Sequence, residues 1–384
     1  MIYFDNAATT QISKNVKNAI VSSFDVYGNA SSQYDLGRAS KSIINNSRAN
    51  IERYLNLSPN SFIFTGCGSE SDTFAIQAGF KYGRLNGRYK IIISSIEHHA
   101  VTHAAEAMKQ FGAIVEVVRV NNEGIVDLNH LRELVDKRTA IVSIMASNNE
   151  IGSIQNLQAI AKIAHDNGAL FHTDAVQGIV HMDIDVSNID MMSISGHKFN
   201  APKGIGGLYI NPNLKEQFSG FNLIAGGKQE FGLRAGTENI PYIVGMSQAV
   251  KDLIVNRDTN NQIERSLSDY MRLQIQTHFP YAKINGPASA ELRHPGIVNI
   301  CFGFADAASI VEWMNLYGIC ISSGSACNTG SPKPSHVLTA IGRTSDEAFS
   351  SIRVSFSHDN TKEDIDDFIN AMIEFEKRYN LNEE

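Results

Sequence analysis

Lys198 is the residue from which chemistry is most readily argued. An apolar β-type run, Asp190 to Ile194, leads into Ser195-Gly196-His197-Lys198, and a glycine-rich bend, Pro202-Lys203-Gly204-Ile205-Gly206-Gly207, follows. A lysine at a strand end, beside hydroxyl and imidazole donors, is what a Schiff-base lysine with an adjacent phosphate site needs. A lysine after a strand is also commonly a solvated surface charge, so the choice rests on the other strand ends.

Those ends offer matching groups. Gly68 and Ser69 stand where the run Phe62-Ile63-Phe64-Thr65 gives way to a helical pattern. A helix N-terminus binds anions through its free N–H groups and its dipole, although Ser69 in an ordinary glycine turn could equally be an N-cap. Glu97-His98-His99 follows Ile91–Ser95. One imidazole there could lie over an aromatic cofactor and shuttle protons near neutrality. Two adjacent histidines on extended chain point to opposite faces, and no third ligand stands at useful spacing, so a metal site is not expected. Asn148-Asn149-Glu150 follows Ala140–Met145. Asp174 ends the run Leu170–Asp174, with Gln177 one turn later. A carboxylate in that place would pair with a protonated pyridine nitrogen, or would cap a helix.

The elements that must position these groups read as alternating strands and helices. β-type runs lie at 62–65, 91–95, 114–118, 140–145, 170–174, 191–195 and 207–210, with helical patterns such as 100–111 and 157–167 between them. Alternation of this kind implies parallel βαβ units, and runs apolar throughout imply strands covered on both faces. In open α/β sheets, active residues gather at the carboxyl ends of strands. The polar run Asn256-Arg257-Asp258-Thr259-Asn260-Asn261 reads as a break. Beyond it a smaller α+β unit is expected, with strands near 297–302 and 319–322 and an amphipathic helix over 362–379. The expected division is a large domain over 13–256, and a small domain from 1–12 and 257–384.

Composition bounds the function. With 384 residues, 43% of them hydrophobic and 19% charged, the chain can build a large core. A net charge of −7 argues against nucleic-acid or membrane-surface binding. No run approaches membrane-spanning length, and Met1-Ile2-Tyr3-Phe4-Asp5 lacks a signal-peptide pattern, so a cytoplasmic protein is expected. Cys67, Cys301, Cys320 and Cys327 show no CxxC spacing, which favours reduced thiols over disulfides or structural zinc.

Taken together, Tyr3 to Thr10, Gly28-Asn29-Ala30-Ser31-Ser32, Asn148-Asn149-Glu150-Ile151-Gly152, Asp174-Ala175-Val176-Gln177, Ser195-Gly196-His197-Lys198, Arg234-Ala235-Gly236-Thr237-Glu238-Asn239 and Ser322-Ser323-Gly324-Ser325-Ala326-Cys327 closely resemble the cysteine desulfurases of the NifS/IscS type, over nearly the full length. That resemblance implies an α/β fold-type I enzyme dependent on pyridoxal 5′-phosphate (PLP), with a mostly parallel seven-stranded sheet and a smaller α+β domain carrying the cysteine loop. It implies that Lys198 holds the cofactor as a Schiff base. Asp174 would bind the pyridine nitrogen, Gln177 the phenolic oxygen, and His98 would stack on the ring. Gly68, Ser69, Ser195 and His197 would hold the phosphate, with Thr237 reaching it from the second subunit of a homodimer. Asn149, which the resemblance also places at the cofactor, and Arg353 would take the carboxylate of L-cysteine, the guanidinium fork suiting a carboxylate; a surface ion pair is the plainer reading of Arg353.

Cys327 would be the nucleophile and persulfide carrier, in small-residue surroundings that suit a loop serving both the cofactor and an external acceptor. Its thiol must lose a proton to react, and His98 is the nearest candidate in the motif set. Cys301 and Cys320 lie in apolar runs and are expected in the core. The sulfur would pass to a protein acceptor in iron–sulfur assembly, tRNA thiolation or DNA phosphorothioation. A selenocysteine lyase or another β-lyase would leave Cys327 dispensable, and a non-catalytic sulfur-relay scaffold would not need Lys198 and Asp174. Four positions depart from the family's pattern: Cys67 and Lys228 stand where glycine is common, Thr73 where asparagine is usual, and Phe231 where arginine is common.

Overall fold

The computed structural model describes residues 1–323 and 333–381; Cys327 lies outside them. Twelve described strands run in chain order: β1 (Ile2–Tyr3), β2 (Phe62–Thr65), β3 (Lys90–Ser94), β4 (Ile114–Val118), β5 (Thr139–Ser143), β6 (Leu170–Asp174), β7 (Met191–Ser195), β8 (Gly206–Ile210), β9 (Lys283–Asn285), β10 (Ile297–Cys301), β11 (Ile319–Cys320) and β12 (Ser351–Ser355). Seven of them form the main sheet, in the order β2-β8-β7-β6-β5-β3-β4. β7, β6, β5, β3 and β4 are mutually parallel, and β8 runs antiparallel between β2 and β7. This is the expected mostly parallel sheet.

The apolar runs are continuous because both faces are covered. Phe62, Phe64, Ile92, Val142, Phe171 and Met192 belong to one buried cluster. Ile63, Ile91, Ile93, Ile141 and Met191 belong to another. Alternate residues of one strand therefore feed opposite layers, as the two-residue period of a strand requires.

A third cluster lies in the smaller unit. There β12, β10 and β9 form an antiparallel sheet and β1 pairs with β11. Phe4 joins Leu267, Met271, Ile300, Ile352 and Phe368 in that core, so the first residues of the chain are built into it.

The polar run 256–261 is not a break. A single helix, Ile240–His278, passes through it, started by Asn239, whose side chain accepts from the Tyr242 N–H. Ile243, Met246, Ala249 and Val250 pack in the large cluster, whereas Leu267, Met271 and Ile275 pack in the smaller one. The polar residues occupy the stretch between the two contacts. β12 is a strand that the sequence reading passed over, although Ser351, Arg353 and Ser355 alternate with the core residues Ile352 and Val354 as a strand with one polar face does.

Candidate active site

The carboxyl ends of β2, β6 and β7 meet at one point. Gly68 opens the helix Gly68–Leu85. A Cβ placed on it would stand 2.9 Å from Val176 Cγ2 and 3.2 Å from Ser195 Cβ. Gly206, which faces Ser195 in the β7–β8 register, admits no side chain either, since its Cβ would lie 2.7 Å from the carbonyl carbon of Cys67. The turn is therefore pressed against its neighbours, and the backbone N–H groups of the first helical turn stand beside the Ser195 side chain. His197 adds an imidazole whose Nδ1 is 3.1 Å from Thr9 Oγ1. A donor set of this kind suits an anion. Glu70 braces it, accepting from Gly66 N at 2.8 Å and from Arg234 Nε at 2.9 Å.

Asp174 is buried at the end of β6, with Oδ1 accepting from Val176 N at 2.9 Å. Burial raises its pKa to about 6, while the Val176 N–H and the charge of Lys198 pull the other way. Behind it lies a polar layer that the sequence reading did not identify. His172 is wholly buried between Ser143 Oγ at 2.8 Å and Ser193 Oγ at 2.9 Å, and burial lowers its pKa to about 3. Asp72 and Glu97 are buried too. Asp72 is pushed well up by burial and then by Asp174, and burial carries Glu97 to about 8. Its sequence signals are slight: His172 is a polar residue within β6, Asp72 lies near the polar start of the helix Gly68–Leu85, and Glu97 stands beside His98 in the connection after β3.

Lys198 lies in the turn after β7. Its Nζ donates to Ala7 O at 2.6 Å and Ala8 O at 2.9 Å. Gln177 Nε2 donates to the same Ala7 O at 3.2 Å. The segment Asp5–Thr10 thus walls the site, and it is tied on both sides. Thr10 N and Oγ1 each donate to His197 O at 2.9 Å, while Ala7 N donates to Ser355 Oγ at 2.9 Å.

His98 begins the helix His99–Met108, and its Nδ1 accepts from Ala100 N at 3.1 Å. The neutral ring then carries its hydrogen on Nε2, so it presents a donor to the site. Burial, followed by Lys198 and the neighbouring histidines, lowers its pKa to about 4. His336 Nε2 donates to Glu97 O at 2.9 Å, and its ring centroid is 4.9 Å from that of His99. Ser335 Oγ donates to Glu150 Oε2 at 2.6 Å. Among the described residues, no group of His, Cys, Asp and Glu is arranged to hold a metal ion.

Arg353 is buried on β12 and is not a surface residue. Nη1 donates to Asn149 O at 2.9 Å, and Nη2 pairs with Asp5 Oδ1 at 2.7 Å. Its Nε is buried with no partner among the described residues. Arg353 and Asn149 are thus brought together from the two units. Asp5 is a site residue the sequence reading passed over. Ser322 exchanges backbone bonds with Arg353, N to O at 3.1 Å and O to N at 2.7 Å, so the chain that leads toward residue 327 starts from the Arg353 strand. Cys301 is buried and Cys320 half-buried; both are free thiols, as is the exposed Cys67. Ser69 and Thr237 are exposed.

Of the positions that depart from the pattern, Thr73 donates to Ser69 O at 2.7 Å. Phe231 packs under Lys215 and Arg48.

A family model for class-V aminotransferases matches residues 2–368. A cysteine desulfurase IscS of Clostridium botulinum is 38% identical over 368 residues, covering 95% of this chain and 91% of its own length. The chain belongs to the class-V aminotransferases, among the cysteine desulfurases. Of solved structures, a NifS-like protein is similar with a TM-score of 0.89 at 30% identity, covering 98% of this chain and 99% of its own. SspA in complex with cysteine gives a TM-score of 0.81 at 31% identity, over 93% and 99% of the two chains. Cysteine desulfurases depend on PLP. The residues fit that cofactor: an amine on Lys198, a buried carboxylate on Asp174 for a ring nitrogen, and an anion site built from the start of the helix Gly68–Leu85, Ser195 and His197. No described helix is long and apolar enough to cross a membrane.

Proposed function

We propose that this cysteine desulfurase converts L-cysteine to L-alanine, holds the sulfur on Cys327 as a persulfide, and passes it to a cysteine of a partner protein in the cytoplasm. The observation that carries the reading is the meeting of Lys198 and Asp174 at strand ends with Arg353 delivered from the smaller unit, two devices that suit one amino-acid substrate. Bound PLP supplies an electron sink for a carbanion at the substrate Cα.

The chain's own groups do the rest. Gly68 and Ser69 N–H groups, Ser195 and His197 would hold the phosphate. Asp174, buried at the end of β6, would take the ring nitrogen, and Gln177 and His98 would bear on the ring. Arg353 and Asn149 receive the substrate carboxylate. The Lys198 amine, steadied by Ala7 O and Ala8 O, is the point of cofactor attachment and the base that moves the Cα proton. Thr237, exposed on its loop, is assigned to the phosphate of a second copy, which makes the working form a homodimer.

The test is Lys198→Ala. The purified wild type should be yellow and should form alanine from cysteine. The variant should lose both the cofactor's covalently bound absorbance and the alanine. A variant that still forms alanine at the wild-type rate overturns the role of Lys198.

A further inference from the structure

β2 stands at the edge of the main sheet, with β8 as its strand partner. The open side of an edge strand carries N–H groups that need partners. Three carboxylates from separate parts of the chain supply them. Phe62 N donates to Glu52 Oε1 at 3.1 Å, Phe64 N to Glu230 Oε2 at 2.8 Å, and Gly66 N to Glu70 Oε2 at 2.8 Å. The ladder follows alternate residues along β2 and ends in the turn that opens the helix Gly68–Leu85.

Two of these carboxylates are met by an arginine. Arg48 donates to Glu230 twice, at 2.7 and 2.8 Å. Arg234 Nε donates to Glu70 Oε1 at 2.9 Å. Glu70 and Arg234 are mostly buried as side chains, 16% and 25% exposed, so theirs is not a loose surface pair. The segment carrying Arg234 is fixed on both sides, since Leu233 is buried in the cluster on one face of the main sheet and Ala235 N donates to Ile224 O at 3.2 Å.

Glu70 matters through its place. With Cys67 as the cap residue, it is the third residue of the helix. A glutamate there commonly turns back to the N–H of the cap residue. This one reaches one residue further, to Gly66 N, and Arg234 takes its other oxygen. A Cβ on Gly66 would stand 2.7 Å from Glu70 Oε2, so the contact needs the glycine. The Cys67 side chain makes no bond to the first turn, and the first N–H groups of a helix have no partner within it. The Gly68 and Ser69 N–H groups are thereby left to an anion. A carboxylate in the first turn suits the helix but repels a phosphate bound at the same end. Arg234 both holds the carboxylate on Gly66 and offsets its charge.

We propose that Arg234 is a positioning residue for the cofactor phosphate, acting through Glu70 on the turn Gly66–Ser69. The proposal rests on the assignment of that turn to the phosphate, and it is separate from the part given to Thr237.

The test strips the full-length chain of cofactor with hydroxylamine and titrates it with PLP and, separately, with pyridoxal, which lacks the phosphate. Absorbance of the bound form gives each Kd. Arg234→Met should weaken PLP by about tenfold or more and pyridoxal by less than about twofold, because the uncovered charge opposes the phosphate alone. Glu70→Gln combined with Arg234→Met should bring PLP back to within about threefold of wild type, since glutamine still accepts from Gly66 N and carries no charge. A loss caused by displacement of Thr237 would not be recovered in this way. Arg234→Gln should show the same phosphate-selective loss, which covers a methionine variant that does not fold. Ser195→Ala removes a hydroxyl assigned directly to the phosphate and serves as the control. If it does not separate PLP from pyridoxal, the phosphate assignment falls and the proposal with it. If it does separate them, the role of Arg234 is overturned by an Arg234→Met that leaves PLP binding unchanged, by one that weakens both ligands alike, or by a double variant that fails to recover.

Discussion

Arg353→Lys separates the charge of Arg353 from its geometry. The guanidinium spans two partners at once, Asn149 O at 2.9 Å and Asp5 Oδ1 at 2.7 Å, and a third nitrogen, Nε, has no partner among the described residues. A lysine ammonium is a single point and cannot reach both while also meeting a substrate carboxylate. A hydrogen bond involving a charged group contributes about 1.5–3 kcal/mol. Losing one from bound cysteine should raise KM by about 10- to 150-fold. The assay is alanine formation against cysteine concentration, with the cofactor absorbance and Tm recorded for each preparation. The expected result is a raised KM with an unchanged spectrum, since no cofactor-binding group is altered. A KM within twofold of wild type, in a variant with intact spectrum and Tm, would refute the assignment of Arg353 to the substrate carboxylate.

Two further predictions concern buried charge. Glu97 titrates near 4.5 when unfolded and about 8 when folded. The unfolded chain therefore sheds this proton first, and stability falls as pH rises from about 4.5 to 8. At about 1.4 kcal/mol per pKa unit, the loss is on the order of 5 kcal/mol. Glu97→Gln, which does not titrate, should flatten the decline of Tm over that window, and parallel Tm–pH curves for the two proteins would contradict it. Arg48 and Glu230 form a buried two-bond ion pair, at 2.7 and 2.8 Å, and Glu230 also accepts from Phe64 N at 2.8 Å. Glu230→Ala leaves Arg48 buried and uncompensated and should cost about 3–5 kcal/mol in denaturant unfolding; a loss under 1 kcal/mol would show that the pair contributes little.

The sequence shows the central sheet plainly because strands buried on both faces are apolar throughout. Phe62–Thr65, Leu170–Asp174 and Met191–Ser195 are wholly buried and keep the very limits their composition suggests, as does the edge strand Ile114–Val118, which is largely exposed. β12 escapes notice because it is only five residues long and alternates Ser351, Arg353 and Ser355 with Ile352 and Val354, unlike the continuous apolar runs of the main sheet; its polar face carries Arg353 to the site. The run Asn256–Asn261 looks like a linker because it lies between the two packed ends of one long helix, where no apolar stripe is required. Lys198, Asp174 and Gly68 are legible from their places at strand ends. Asp5 and Ala7 are not, since their part depends on a chain start folded back over the sheet, and half of it is played by backbone carbonyls. His172 is hidden for a related reason, standing in a strand of the core, whereas Asp72 sits in the polar start of the helix Gly68–Leu85 and Glu97 in the connection after β3, where a polar residue draws no notice.

The central claim is that Cys327 carries the sulfur, and mass spectrometry of the peptide containing it tests this most directly. After addition of L-cysteine, the wild-type peptide should gain the mass of one sulfur. Cys327→Ser should retain the cofactor absorbance, gain no sulfur, and form alanine orders of magnitude more slowly, a hydroxyl being a far weaker nucleophile toward sulfur than a thiolate. Alanine formed by Cys327→Ser at the wild-type rate, or the added sulfur found on the exposed Cys67, would contradict the account.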